Sequence, residues 1–256
     1  MSRLAWITGA SAGLGAEFAR ALAARGYALV LIARRLDRLH DLAAALPGAA
    51  VECVAADLTD DSALQRLADR LAAAPPDLLI NNAGFGTRGD FAETAYATQE
   101  QMHRLHVLAT LRLTHAALPG MIRRDAGALI NVSSVAAFAR SAGNVSYCAT
   151  KAWMNAFTEG LHLELKARGS RVVVQALCPG FTYTEFHDVM GVDRQSIPRG
   201  LWLRAEDVVA ASLRGLERGQ WLVVPNWKYK LLAAVLPRLP LKVREIVQLR
   251  SPHRRR

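Results

Sequence analysis

Apolar runs too continuous for a one-sided sheet, separated by stretches with helical spacing, constrain this chain more than any other feature. Candidate strands fall at 4–7, 28–32, 51–55, 78–80, 128–132, 172–177 and 221–224, with Ala/Leu/Arg-rich helical stretches at 16–25, 35–45, 62–73 and 101–123. A strand that is apolar at nearly every position has both faces covered, and strand-to-helix alternation implies parallel crossovers. The expected fold is α/β: a doubly wound parallel sheet flanked by helices, built as one domain over residues 1–256. No internal repeat or low-complexity linker divides the chain, and the apolar run at 231–236 stops at Pro237, far short of a bilayer. The segment 181–203 interrupts the alternation. It intersperses Gly191, Pro198 and Gly200 with Phe181, Tyr183, Phe186, Met190 and Trp202, which predicts a flap over a pocket.

Directly after the first strand stands TGASAGLG, Thr8 to Gly15. Glycines at a strand-to-helix turn let the backbone pass close to a pyrophosphate, whose charge the helix N-terminus then meets. The spacing Gly9, Gly13, Gly15 is G-x-x-x-G-x-G rather than G-x-G-x-x-G, so by itself it is a weak sign of a Rossmann-type dinucleotide site. The second strand ends in IARR, with Arg34 and Arg35 and no acid until Asp37. A ribose 2'-hydroxyl is normally met at this place by an acid and a 2'-phosphate by arginine. Charge-assisted hydrogen bonds of that kind contribute roughly 1.5–3 kcal/mol, which predicts NADPH over NADH. The competing reading makes Arg34 and Arg35 the start of an exposed helix, with Arg38 on the same face.

Further along, SYCATKAW places Tyr147 and Lys151 four residues apart, on one face of a helix. Upstream are NNAG (Asn81 to Gly84), INVSSVAAF with Ser134 thirteen residues before the tyrosine, and downstream Cys178-Pro179-Gly180. In order and spacing these motifs, with the Thr8 to Gly15 turn, resemble the short-chain dehydrogenases/reductases over residues 8 to about 184. The resemblance implies that Tyr147 is the general acid for ketone reduction and the base for alcohol oxidation. Ser134 would hold the substrate oxygen, while Lys151 would bind the nicotinamide ribose and lower the tyrosine pKa. A free phenol titrates near 10, so bringing it towards 7 takes about three units, or roughly 4 kcal/mol favouring the anion. A neighbouring ammonium and a positive cofactor ring supply interactions of that sign.

The resemblance also implies that Gly9, Ser11, Gly13, Leu14 and Gly15 cradle the cofactor, NADP(H). Asp57 and Leu58 would lie at the adenine edge, Asn82, Ala83 and Gly84 beside the cofactor, and Pro179, Gly180 and Thr182 along the nicotinamide, with Tyr147 and Lys151 on the ribose. One position departs from the family pattern. Where an asparagine usually completes a proton relay through water, this chain has His106. Either it is an interior histidine whose backbone carbonyl still holds the water, or it joins the relay as a catalytic residue that titrates near neutrality.

Cys53, Cys148 and Cys178 are an odd number without CxxC spacing, which argues against a disulfide framework and a zinc site and fits a reducing cytoplasm. No secretory signal is expected, because only four apolar residues separate Arg3 from Thr8-Gly9. The net charge of +10 is concentrated in residues 226–256, where nine Lys/Arg face the single acid Glu245. This basic extension reads as a helix packed on the domain edge, or as a surface that touches an anionic membrane. Nucleic acid is disfavoured, since no aromatic-interleaved platform or recognition motif accompanies the charge. The overall expectation is an NADP-dependent enzyme interconverting a lipophilic ketone or aldehyde and its alcohol, as a homodimer or homotetramer. The alternative is an NADP(H)-binding sensor or scaffold with weak catalysis.

Overall fold

The computed structural model describes residues 3–186, 195 and 197–249. Seven strands, Leu4–Thr8 (β1), Ala28–Ala33 (β2), Val51–Ala55 (β3), Leu78–Asn81 (β4), Ala128–Val132 (β5), Val173–Leu177 (β6) and Leu222–Val223 (β7), form one sheet. Its order is β3-β2-β1-β4-β5-β6-β7, and every neighbouring pair is parallel. The continuous apolar strands are explained by the two layers they serve. On β2, Leu29, Leu31 and Ala33 join the core beneath Gly13–Ala23 (α1), Leu36–Ala44 (α2) and Ala205–Glu217 (α7), whereas Val30 and Ile32 join the opposite core. That second core is covered by Asp61–Ala73 (α3), Thr110–Arg123 (α5) and Val145–Ala167 (α6). Strand β3 is the exception, half-open along its length as an edge strand with Glu52 exposed.

The expected helix at 101–123 is longer and irregular. It starts as Tyr96–His103 (α4), passes through a π-helical turn at Arg104–Ala109, and continues as α5. Insertions of this type re-aim side chains and recur at functional sites. Here the turn carries His106 inward and leaves Leu108 outward.

Strand order reverses between β1 and β4, opening a crevice at the C-terminal edge of the sheet, where a doubly wound fold binds its ligand. Buried polar residues tie the elements around it. Asn81 Nδ2 donates to Thr114 Oγ1 (3.1 Å) and Asn131 Oδ1 (2.9 Å), and Asn131 Nδ2 donates to Thr158 Oγ1 (2.9 Å). Strands β4 and β5 are thereby locked to α5 and α6. The flap expected at 181–203 is closed at its base, where Leu203 N donates to Phe181 O (2.8 Å) and Tyr183 N to Leu203 O (3.0 Å). Met190 and Gly191 lie outside the described residues. The basic extension folds as Trp227–Val235 (α8) and Leu241–Leu249 (α9), joined by a 3-10 turn containing Pro237.

Candidate active site

Most of the expected site segments follow a strand, and helix α6 brings Tyr147 and Lys151 to the same edge. At the nucleotide end, the three glycines serve different needs. A Cβ on Gly15 would stand 2.3 Å from the Gly9 carbonyl oxygen, and one on Gly9 would stand 2.8 Å from Ala83 Cα. Gly13 has φ +56°, open to glycine at no steric cost. The helix they lead into has no side-chain cap at Ala12 and no acid in its first turn, so neither a capping side chain nor an acid of its own competes for its leading N–H groups. That is a floor suited to a pyrophosphate.

Asn82 and Ala83 act on this turn rather than merely following a strand. Both backbone N–H groups donate to Thr8 Oγ1 (2.9 and 3.0 Å), and Asn82 Nδ2 donates to the carbonyls of Thr8 (2.9 Å) and Gly9 (3.1 Å). Leu14 packs on the core beneath the turn. Asp57 accepts from Thr59 N and Oγ1 at 2.9 and 2.7 Å, while the Leu58 side chain is buried in the second core, leaving only its backbone for an adenine.

The arginines divide differently from the expected Arg34 and Arg35 pair. Arg35 Nη2 donates to Ser11 Oγ (3.2 Å) and pairs with Glu185 Oε2 (3.3 Å), and Arg38 Nη1 pairs with Glu185 Oε1 (2.7 Å). Arg34 is exposed and forms no ion pair with a described residue. The helical spacing of Arg35 and Arg38 sets them side by side, whereas Arg34 is the last residue before α2 and its cap.

At the other end, β5 and α6 are clamped reciprocally. Lys151 Nζ donates to the Val132 carbonyl (2.8 Å) and Ser133 Oγ donates to the Lys151 carbonyl (2.9 Å). Ser134 follows as the cap of a 3-10 turn, accepting from Ala136 N at 3.1 Å. The clamp sets Ser134 beside the half-buried Tyr147, whose ring centroid is 5.7 Å from Lys151 Nζ. Burial pushes the phenol up to about 12, partly offset by the Ser134 hydroxyl. Burial likewise depresses the Lys151 ammonium to about 8. The lowered phenol expected from the neighbouring lysine is therefore absent in the protein alone, because the ammonium is directed at a carbonyl and both groups are desolvated.

His106 is fully buried. Phe85 N donates to its Nε2 (3.1 Å), so the neutral ring carries its proton on Nδ1 and donates to Thr150 Oγ1 (2.9 Å), which in turn donates to the Tyr147 carbonyl (3.0 Å). Burial first, and then the Lys151 and His103 charges, hold its pKa well below 6.5. With both nitrogens engaged, the side chain offers no free lone pair to a proton relay. The close approach also explains Gly84, where a Cβ would stand 2.7 Å from Nε2.

Residues 3–194 match the family model for short chain dehydrogenase. The chain is a short-chain dehydrogenase. It is 33% identical over 242 residues to an uncharacterized oxidoreductase of Myxococcus xanthus, covering 92% of this chain and 93% of that protein. Among solved structures it superposes on a short-chain dehydrogenase of Sphingobium yanoikuyae in complex with NADPH, with TM-score 0.83, 34% identity and coverage of 98% and 97%. A Burkholderia phymatum member in complex with NAD gives TM-score 0.81 at 25% identity, covering 98% of this chain and 96% of that one. This short-chain dehydrogenase is thus an oxidoreductase whose fold is built for a nicotinamide cofactor.

In this dehydrogenase the aromatic residues of 181–203 split into two groups. Trp202 stacks on Tyr183 (4.9 Å) and packs on Phe181 (5.6 Å), knitting the base of the segment. Phe186 instead reaches Tyr147 (5.9 Å), completing a row of rings through His106 (6.0 Å) to Phe85 (6.1 Å). Pro179 accepts from Val135 N (3.0 Å), Thr182 Oγ1 donates to the Gly180 carbonyl (3.0 Å), and a Cβ on Gly180 would overlap the Tyr229 ring. Tyr229, from the basic extension, accepts from Phe181 N (3.2 Å) and donates to Leu201 O (2.7 Å). Cys178 and Cys148 are buried thiols, the first donating to Asn155 Oδ1 (3.3 Å). Among the described residues no cluster of His, Cys, Asp or Glu is arranged to hold a metal ion. Sequence reasoning did not single out Thr150, Phe85, Tyr229, Thr184 or Glu185 as site residues. Only Thr150 had a local signal, one turn from Tyr147.

Proposed function

We propose that the chain catalyses NADPH-dependent interconversion of a ketone or aldehyde and its alcohol. The observation that carries this reading is the convergence of Ser134, Tyr147 and Lys151 at the strand edge beside the switch point. The residues present fit a dinucleotide: the turn of Gly9, Ser11, Gly13, Leu14 and Gly15 is packed too closely for a Cβ at Gly9 or Gly15, leaving bare backbone at the helix start, and a carboxylate already stands on Arg35 and Arg38 as a stand-in anion. Asp57 and the Leu58 backbone would border the adenine, while Asn82 and Ala83 hold the turn in place. Gly84, Pro179, Gly180 and Thr182 would line the nicotinamide end, and the exposed Arg34 is a further candidate partner for the 2'-phosphate.

When bound, the nicotinamide supplies the hydride to the carbonyl carbon. Ser134 donates a hydrogen bond to the carbonyl oxygen, and Tyr147 delivers its proton to that oxygen as negative charge develops on it. Lys151 stabilises the resulting phenolate and holds the ribose. His106 is a positioning residue that fixes the Phe85 loop and the first turn of α6. Phe186 sets an apolar ring beside the phenol, 5.9 Å away, which supports a lipophilic substrate.

Turnover of NADPH and of NADH against small, aromatic and long-chain ketones and aldehydes tests the reading, with Tyr147→Phe run beside the wild type. Consumption of NADPH that falls by at least about a thousandfold in the variant is expected, with cofactor affinity retained. Tight NADPH binding with no turnover on any panel member would assign the chain to cofactor sensing instead.

The outward faces of the π-helical turn, α5 and α6 carry exposed Leu108, Leu111, Val145 and Leu163, which supports a homodimer or homotetramer through these helices. No described helix is long and apolar enough to cross a membrane. On α8, Trp227, Leu231 and Val235 form an exposed stripe between Lys228 and Lys230, opposite the buried Tyr229 and Leu236, and this supports peripheral contact with an anionic bilayer. Co-sedimentation with anionic vesicles at moderate salt tests that contact. Three free thiols suit a reducing cytoplasmic compartment.

A further inference from the structure

We propose that Glu185 is a resident competitor for the cofactor's 2'-phosphate, seated on the Arg35 and Arg38 cradle until the phosphate displaces it. The inference rests on the NADPH reading above. Its two carboxylate oxygens are divided between two guanidinium groups, Oε1 to Arg38 at 2.7 Å and Oε2 to Arg35 at 3.3 Å. The same Arg35 nitrogen donates to Ser11 in the glycine turn, 3.2 Å away. The cradle is thus two cations and a hydroxyl arranged around one anion, beside a groove of about 440 Å3 lined by Ser11, Gly13, Thr184 and Glu185 among others. A phosphate dianion presents three terminal oxygens where the carboxylate presents two, so it fits the same donors with more charge.

Displacement is energetically accessible. All three side chains are 46% exposed, and ion pairs that open to solvent are individually weak. Glu185 is nevertheless a full anion: hydrogen bonding and charge from Arg38, and then from Arg35, hold its carboxyl below the ordinary carboxylate range. It therefore opposes an incoming phosphate and sets how strongly the site favours a 2'-phosphorylated nucleotide. It also occupies the position next to Phe186, whose ring lies 5.9 Å from that of Tyr147.

Calorimetric titration of the full chain with adenosine 2',5'-bisphosphate and with 5'-AMP, ligands that differ only in the 2'-phosphate, tests the assignment. Glu185→Gln, a surface substitution, is expected to bind the bisphosphate about three- to fivefold more tightly than the wild type, with 5'-AMP unchanged. Arg38→Ala is expected to weaken the bisphosphate by about tenfold and again spare 5'-AMP. If Arg38→Ala weakens the bisphosphate but Glu185→Gln leaves it unchanged or weaker, the competitor role is overturned and the NADPH reading stands. If neither Arg35→Ala nor Arg38→Ala alters the bisphosphate, the NADPH reading itself fails, and the role of Glu185 with it.

Discussion

Tyr147 and Lys151 illustrate how burial opposes function at single residues. The protein alone holds the phenol near 12 and the ammonium near 8, each displaced toward its neutral form. A positive charge brought to the open side of Tyr147 reverses the first shift, so proton transfer is coupled to occupancy of the cofactor site. His106 carries the second lesson at this scale. Its folded pKa lies well below 6.5, so above that pH the native and unfolded forms bind the same number of protons. Below it the unfolded form takes up a proton that the native form does not, and stability is lost as pH falls. Relative to His106→Asn, the wild type should lose up to about 1.4 kcal/mol per pH unit below 6.5, read by denaturant unfolding across that range. Its pH–rate profile should show no inflection from this ring. An inflection near 6.5 that disappears in His106→Asn would return the side chain to the proton path.

At the scale of elements, the catalytic edge is held by hydrogen bonds that cross from sheet to helix. Asn131 is fully buried and joins Asn81 on β4 to Thr158 on α6, which bonds onward to the Met154 carbonyl at 2.7 Å. Removing it orphans a donor on one side and displaces an acceptor on the other. Asn131→Ala should cost roughly 2–3 kcal/mol, seen as a lower urea midpoint at unchanged slope. A loss no greater than that of an exposed Asn→Ala control would mean that water replaces the lost partner. The reciprocal clamp of Ser133 and Lys151 works in the same way, since neither β5 nor α6 can slide without breaking both contacts.

For the whole molecule, part of the apolar surface that folding leaves outside lies on the helices around the site rather than on the basic extension. Leu163, 59% exposed, shares the outer face of α6 with Val145, and Leu108 and Leu111 are likewise exposed. If the proposed oligomer forms through these helices, Leu163→Glu lowers its mass to that of the monomer or the next smaller oligomer, read by light scattering. An unchanged mass would place the interface elsewhere. The seven-stranded sheet and its two helical layers were legible in advance, because period and apolar continuity follow from which faces are covered. The length of the α4–α5 helix was not, since nothing local marks the π-turn that admits His106. The tail was read as helical pieces broken by proline, and so it folds. What the tail does for the site, through Tyr229 against Gly180, Phe181 and Leu201, required the packed chain.

The strand and helix alternation, the glycine turn and the Tyr147 and Lys151 spacing could be read from the residues alone, because each depends on neighbours within a turn or a strand. Only the packed chain brings Glu185 to Arg35, 150 positions away, and to Arg38 beside it, and engages both His106 nitrogens. A polar atom takes whichever partner the fold brings within about 3 Å, and no local pattern encodes that choice.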